Sequence, residues 1–160
     1  MEQKESISAM SQSSQVPSIF LSHIGTWQGE YIKTDATGNF LRSFLGTFTV
    51  SITGNQYRQV NHYQYPDGKT MQLNFAGEFT DGILKIASDN YESFEAIAWD
   101  SGKQTIGFRV RKTQNNHLIT YWESIILITP QYRVRSTQEY KDGIFEGINF
   151  IQEQKLSEIV

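Results

Sequence analysis

Turn signals recur at short, regular intervals from Gly25 onward, and this spacing constrains the fold more than any other feature of the chain. Residues that tolerate positive φ or preset a tight turn occur at Asp35 to Asn39, Gly54-Asn55, Pro66 to Lys69, Asp81-Gly82, Ser88 to Asn90, Asp100 to Lys103, Gln114 to Asn116, Thr129-Pro130 and Asp142-Gly143. The segments between them are rich in β-branched and aromatic residues. They predict strands near 26–34, 40–53, 56–65, 70–80, 83–87, 91–99, 104–113, 117–128, 131–141 and 144–155.

Connections this short exclude parallel crossovers, which need about a dozen residues or more, so consecutive strands must pair antiparallel. An open meander of this size would leave two exposed edges, and closure removes them. The sequence therefore predicts an all-β fold, an antiparallel up-and-down barrel of about ten strands. Ser14 or Ser18 as a cap, Pro17 in the first turn and Gly25 at the end predict one short N-terminal helix before it. His23 is expected near its C-terminus as a dipole partner.

Composition narrows the class of protein. A chain of 160 residues suits one domain, and we expect a barrel domain over 15–160 behind a disordered tail over 1–14, which is rich in Ser and Gln. A net charge of −3 without a basic run argues against a nucleic-acid partner. No apolar run is long enough for a secretory signal or a membrane span, so a cytoplasmic location is expected.

Alternation along the strands, followed through the apolar residues, predicts which side chains face the barrel interior. They are Trp27, Tyr31, Phe40, Phe44, Phe48, Val50, Val60, Met71, Leu73, Phe75, Phe79, Ile97, Trp99, Ile106, Phe108, Val110, Thr120, Trp122, Tyr132, Val134, Ile148 and Phe150. A barrel of this strand number is wide enough to hold one small ligand. An interior so rich in aromatic residues suits either a dense core or a flat hydrophobic ligand.

Several polar residues share this inward phase, and buried polar groups need partners. They are Arg42, His62, Glu95, Ser136, Gln138 and Glu146. An ion pair between Arg42 and Glu95 would satisfy two of them. Two interpretations stay open: these side chains reach water at a barrel mouth or after a phase slip, or some of them orient the polar end of a ligand. The predicted ligand-binding residues are Arg42, Phe44, His62, Phe75, Glu95, Trp99, Phe108, Trp122 and Tyr132.

Motifs for metal or cofactor chemistry are missing from the sequence. The chain has no cysteine, and its three histidines lack the spacing that presents two imidazoles from one element. Neither a phosphate-binding glycine loop nor a G-x-S-x-G motif occurs, so no metal and no cofactor are expected. His62 or Glu95 could serve as a single acid or base in a closed pocket.

The outer face raises the question of a partner. Two R-x-R pairs, Arg109 with Arg111 and Arg133 with Arg135, lie on the opposite phase and are expected to be solvated. The strand between them, near 117–128, is apolar on both phases, which predicts a cover on its outside. The N-terminal helix or the second subunit of a homodimer are the alternatives.

The run Gly25-Thr26-Trp27 with Gly29 and Tyr31, after a short helix and before a meander, resembles the G-x-W opening of the calycins, the superfamily of lipocalins and fatty-acid-binding proteins. The resemblance covers about residues 18–155. Together with Pro66-Asp67-Gly68, 132–136 and Asp142-Gly143, the chain is more closely similar to a lipocalin-like bacterial family known only as a domain of unknown function.

This resemblance implies that Trp27 closes the barrel base and that an arginine of a late strand, Arg133 or Arg135, packs across it, against the outward phase assigned above. The final strand differs from the family pattern because it contains no arginine. The resemblance also implies a cup for an apolar small molecule, and some calycins act as isomerases, cyclases or chromophore lyases. Three functions follow: binding of an apolar or aromatic small molecule, catalysis of the cyclase, isomerase or lyase type in the same cavity, or a ligand-free protein interaction module.

Overall fold

The structure is a computed structural model that describes residues 15–156. One short helix precedes ten strands, with the bounds α1 Ser18–Leu21, β1 Gly25–Thr34, β2 Phe40–Thr53, β3 Gln56–Gln64, β4 Thr70–Thr80, β5 Ile83–Ala87, β6 Ser93–Gly102, β7 Thr105–Gln114, β8 His117–Thr129, β9 Tyr132–Lys141 and β10 Ile144–Lys155. Each strand pairs antiparallel with its sequence neighbour, and β1 pairs with β10 to close the barrel. The predicted all-β up-and-down barrel with one short helix is confirmed. The predicted tail over 1–14 lies outside the described residues.

Local turn chemistry explains why the hairpins form where the sequence placed them. Asp81-Gly82 and Asp142-Gly143 adopt positive φ at both positions, the geometry of a two-residue type I′ turn whose twist matches the flanking strands. The hairpin between β6 and β7 differs from the prediction. Its positive-φ residues are Gly102, Lys103 and Gln104, because β6 continues through a bulge between Asp100 and Gly102 into the predicted turn.

The strands do not contribute equally to closure. β1 and β10 pair over the run from Trp27 to Lys33, and they approach so closely that a Cβ at Gly29 would lie 1.9 Å from the carbonyl oxygen of Gln152. By contrast, β5 pairs with β6 only from Leu84 to Ile86. The connection over 88–92 bridges the rest of this seam.

The hydrophobic core fills the base of the barrel, where α1 closes the opening. Phe20 of α1 packs edge-to-face on Phe79, with 4.9 Å between the ring centroids. Trp27 is fully buried, and its indole N–H donates to the carbonyl oxygen of His23 at 3.0 Å. The guanidinium carbon of Arg133 lies 4.4 Å from the Trp27 ring centroid, in the packing that the calycin resemblance implied.

The inward phase was wrong on five strands. The inner faces of β6, β8, β9 and β10 carry Ala96, Glu123, Arg135 and Asn149, so the predicted inward residues Ile97, Trp99, Thr120, Trp122, Tyr132, Val134, Ile148 and Phe150 lie on the outer face. Val60 of β3 also faces outward, and Phe40 is 65% exposed beyond the mouth. The outward assignment of Arg133 and Arg135 was equally wrong, since both are buried. A slip of one residue exchanges the two faces of a whole strand.

The outer face of β8 stays uncovered within residues 15–156. Trp122, Ile126 and Ile128 are each at least 38% exposed, and α1 lies at the base of the barrel instead of across β8. The helix alternative for a cover is therefore wrong. A homodimer through this face stays a prediction.

Candidate functional site

A cavity of about 300 Å³ occupies the half of the barrel opposite α1, above the core, and opens between the hairpin loops. Nine of its lining side chains are aromatic: Tyr31, Phe44, Tyr63, Tyr65, Phe75, Tyr91, Phe94, Phe108 and Tyr121. Tyr31 stacks on Phe44 with 4.7 Å between centroids, and Tyr63 meets Phe44 edge-on at 5.5 Å. These contacts fix the rings in place, so the wall presents flat apolar surface to whatever occupies the cavity.

One polar row runs down the inner face of β3, where every second residue carries a hydrogen-bonding group. The Tyr57 hydroxyl bonds to Gln59, the Gln59 amide donates to Asn61 Oδ1 at 2.6 Å, and the Asn61 amide donates to the Tyr63 hydroxyl oxygen at 3.1 Å. Burial raises the pKa of Tyr63, so its hydroxyl keeps its proton. Because that oxygen accepts from Asn61, the remaining O–H is a donor at the cavity wall.

The floor of the cavity is a buried chain of charges. Arg133 forms two hydrogen bonds to the Glu153 carboxylate, at 2.9 and 3.0 Å, and both side chains are almost fully buried. Arg135 lies 3.5 Å from Glu153 and 3.3 Å from Glu123, which lines the cavity. Burial raises the pKa of Glu123 above its ordinary value, against the lowering effect of Arg135.

His23 lies beneath the cavity floor, at the end of this row of buried charged residues. Its Nδ1 lies 2.9 Å from an Arg133 nitrogen, and since the guanidinium can only donate, the imidazole accepts there and is neutral. Burial first, and then the positive charges of Arg133, Arg135 and Lys155, lower the pKa of His23 to about 3. The expected dipole role is therefore wrong, because a neutral ring past the end of α1 carries no charge to interact with the helix.

The mouth of the cavity is positively charged. Lys33 pairs with Glu139 at 3.5 Å, which leaves Arg42 and Lys112 as lining cations without a carboxylate partner among the residues that the structure describes. The Arg42 guanidinium lies over the rings of Phe44 and Tyr65, at 5.4 and 5.8 Å from their centroids. An anionic group that entered with an apolar ligand would meet this charge first.

Four of the nine predicted ligand-binding residues meet at the cavity: Arg42, Phe44, Phe75 and Phe108. The other five do not line it, because their strands turn the opposite face inward or, for Tyr132, because the residue lies at the base end of β9 on the outer face. They are His62, Glu95, Trp99, Trp122 and Tyr132.

The outward residues have partners of their own. Glu95 pairs with Arg109 at 3.5 Å and not with Arg42, so the proposed Arg42–Glu95 ion pair was wrong. Trp99 covers Gly107 of the neighbouring strand, where a Cβ would lie 2.6 Å from the indole.

Sequence reasoning missed the polar residues of the lining, above all Lys112, Glu123, Asn149 and the polar row of β3. Following the apolar residues along a strand assigns the polar residues between them to the solvent-facing side, so polar residues that face inward are missed. The signal that could have found the row is the alternation of Tyr57, Gln59, Asn61 and Tyr63. In the described part of the chain, no three His, Asp or Glu residues converge as a metal site would require. No helix within 15–156 has the length and apolar character of a membrane-crossing segment.

Comparison with protein families finds one match that spans nearly the whole chain. The family described as Domain of unknown function (DUF3598), N-terminal, matches residues 12–158. No curated protein matches the chain by sequence.

Solved structures share the fold at low sequence identity. A DUF3598-family protein of unknown function from Nostoc punctiforme superposes with a TM-score of 0.62 at 14% identity, covering 86% of this chain and 48% of that protein. This chain thus spans about half of that relative. An S-type phycobiliprotein lyase from Guillardia theta gives a TM-score of 0.64 at 10% identity and covers 89% of this chain and 93% of its own. Rv2717c of M. tuberculosis gives 0.63 at 11%, with coverage of 89% and 99%.

Proposed function

The chain belongs to the DUF3598 family, and from this premise and the cavity we propose that it binds a small molecule with a flat apolar body and an anionic group inside the barrel. The observation that carries the proposal is an aromatic-walled cavity whose mouth holds Arg42 and Lys112 without carboxylate partners in the described chain. Burial of apolar ligand surface contributes about 25 cal/mol per Å², and the cations orient the ligand. The volume of the cavity lies at the low end of the range for small-molecule sites, which is typically about 300–1,000 Å³.

Two further observations support a ligand with a polar end. Arg135 Nε and Asn149 Oδ1 are buried atoms of lining residues, and neither has a hydrogen-bond partner within residues 15–156. A buried polar atom left unpaired costs about 1–3 kcal/mol. Together with the O–H of Tyr63, they offer donors and an acceptor deep in the cavity.

Fluorescence titration with anilinonaphthalenesulfonate, which combines aromatic rings with a sulfonate, tests the proposal. Arg42→Gln should weaken binding about three- to tenfold through loss of a partly screened charge, and Val110→Trp, which fills the cavity, should abolish it. The control is Trp122→Ser on the exposed outer face. Binding that is lost in Trp122→Ser and retained in Val110→Trp would place the probe outside the barrel and refute the proposal.

The second candidate function is catalysis of the lyase, isomerase or cyclase type, supported by Glu123 and by the fold shared with a phycobiliprotein lyase. A cavity carboxyl with a raised pKa is a reasonable general acid. His62 and Glu95, the acid or base named from sequence, do not line the cavity. With a substrate in hand, Glu123→Gln should lower the rate at least a hundredfold without loss of substrate binding. The third alternative, a ligand-free interaction module, is less favoured because the half of the barrel opposite α1 holds a cavity.

A further inference from the structure

Lys112 of β7 has an unusual environment for a lysine. Its side chain lines the cavity and the residue is only 8% exposed. Nζ lies 3.5 Å from the Tyr91 hydroxyl and 4.5 and 4.9 Å from the ring centroids of Tyr91 and Tyr121. None of the ion pairs formed within residues 15–156 includes it. The amine is therefore held between two aromatic rings without a counter-ion in contact.

Burial and the neighbouring charged groups determine how much of the Lys112 amine is protonated. Burial lowers the pKa of Lys112 to about 8, with Glu139 of β9 opposing the shift and Lys33 of β1 adding to it, while burial keeps Tyr91 and Tyr121 protonated. At pH 7.4 about a fifth of such amines carry no proton, against about one in a thousand for a lysine with an ordinary pKa. The free amine is the nucleophilic form, and desolvated lysines of this kind attack carbonyls.

We propose that Lys112 captures a carbonyl-bearing ligand as an imine within the cavity. This inference rests on the proposed ligand-binding function and narrows the ligand class to aldehydes or ketones with a flat apolar body. The aromatic wall positions that body, and the amine at the mouth meets its carbonyl carbon. Lys33, the other lining lysine, is held by Glu139 and is more exposed, so it is the poorer nucleophile.

The step balances without an oxidant or a further reactant. The Nζ lone pair attacks the carbonyl carbon, a C–N bond forms, and the carbonyl π electrons move to oxygen, which takes a proton. The nitrogen loses one proton to solvent, which gives a neutral carbinolamine. Its hydroxyl then takes a second proton and leaves as water while the nitrogen lone pair forms the C=N bond, and loss of the last N–H proton to solvent gives the imine. Tyr91, with its hydroxyl 3.5 Å from Nζ, is the adjacent proton donor.

The test pairs naphthaldehyde, which can form an imine, with naphthalenemethanol, which cannot. The intact protein is incubated with naphthaldehyde and cyanoborohydride, which reduces an imine to a stable amine, and is then analysed by intact mass and peptide mapping. One adduct is expected, with a mass gain equal to the aldehyde less one oxygen atom, at Lys112. Labelling there should exceed each exposed lysine about tenfold or more at pH 7.4 and should rise through pH 8.

Lys112→Met and Lys112→Arg should both lose this adduct, whereas Lys85→Arg, on the exposed outer side of β5, should keep it. Near-ultraviolet circular dichroism shows that all three variants retain the fold, and Lys85→Arg should also keep the binding of naphthalenemethanol. If naphthalenemethanol binds to the unaltered protein but labelling is spread evenly over the lysines, the imine proposal falls alone. If neither naphthalene probe binds although anilinonaphthalenesulfonate does, the imine proposal is again refuted alone; if anilinonaphthalenesulfonate does not bind either, the binding function is refuted with it.

Discussion

Substitution of His23 by Gln should remove a steep dependence of stability on pH. The imidazole is 3% exposed and accepts a hydrogen bond from Arg133, and the pKa of His23 lies at about 3 in the fold. In the unfolded chain its pKa is about 6.5. Below pH 6.5 the His23 imidazole takes up a proton in the unfolded chain but stays neutral in the folded protein. The stabilisation is therefore complete above pH 6.5 and is lost as the pH falls towards 3.

The size of the loss follows from the two pKa values. Between pH 7 and pH 5 the unfolded state changes from mostly neutral to almost fully protonated at this residue, while the folded state stays neutral. Integration over that interval gives about 2 kcal/mol lost from the free energy of unfolding. For a small domain with a urea slope near 2 kcal/mol per M, the midpoint should fall by about 1 M.

Urea denaturation followed by tryptophan fluorescence at pH 7, 6 and 5 measures this loss, since Trp27 is fully buried against the same network. His23→Gln keeps a side-chain oxygen that can accept from Arg133 but cannot be protonated, so its midpoint should change little over the range. His62→Gln, on the outer face of β3, is the control and should show the unaltered protein's full loss. Equal losses in His23→Gln and the unaltered protein would refute the neutral, buried imidazole.

Three further substitutions test the packing. Arg133→Met should lower the free energy of unfolding by about 3–5 kcal/mol in thermal or urea denaturation, since it leaves the buried Glu153 carboxylate with only Arg135 at 3.5 Å; a loss under 1 kcal/mol would contradict this. Gly29→Ala should destabilise by about 3 kcal/mol, because its Cβ would lie 1.9 Å from the Gln152 carbonyl oxygen, and native-like stability would disprove so close an approach. Gln104→Gly should raise the free energy of unfolding by about 1 kcal/mol, because glycine adopts a φ of 60° without strain. An unchanged melting temperature would contradict this.

The fold could be predicted from sequence because its signals are local. Asp81-Gly82 and Asp142-Gly143 specify tight turns by their own backbone preferences, and short turns force antiparallel neighbours. Closure then followed from the need to remove exposed edges. None of these steps requires knowledge of contacts between distant residues.

The site was harder because the inner face mixes apolar and charged groups. On β9 the apolar phase favoured Tyr132 and Val134, yet Arg133 and Arg135 lie inside. Their burial depends on Glu153 of β10 and Glu123 of β8, pairings that the sequence of β9 alone cannot show. The calycin resemblance correctly favoured an arginine across Trp27, since it carried information about that three-dimensional contact.

The short seam between β5 and β6 affects how readily the Lys112 amine is exposed. Three paired positions hold these strands together, so their amides should exchange with deuterium sooner than those of β1 and β10. Tyr91 belongs to the connection that spans this seam, and it also covers the Lys112 amine. Each transient separation of the two strands would thus displace Tyr91 and expose the Lys112 amine.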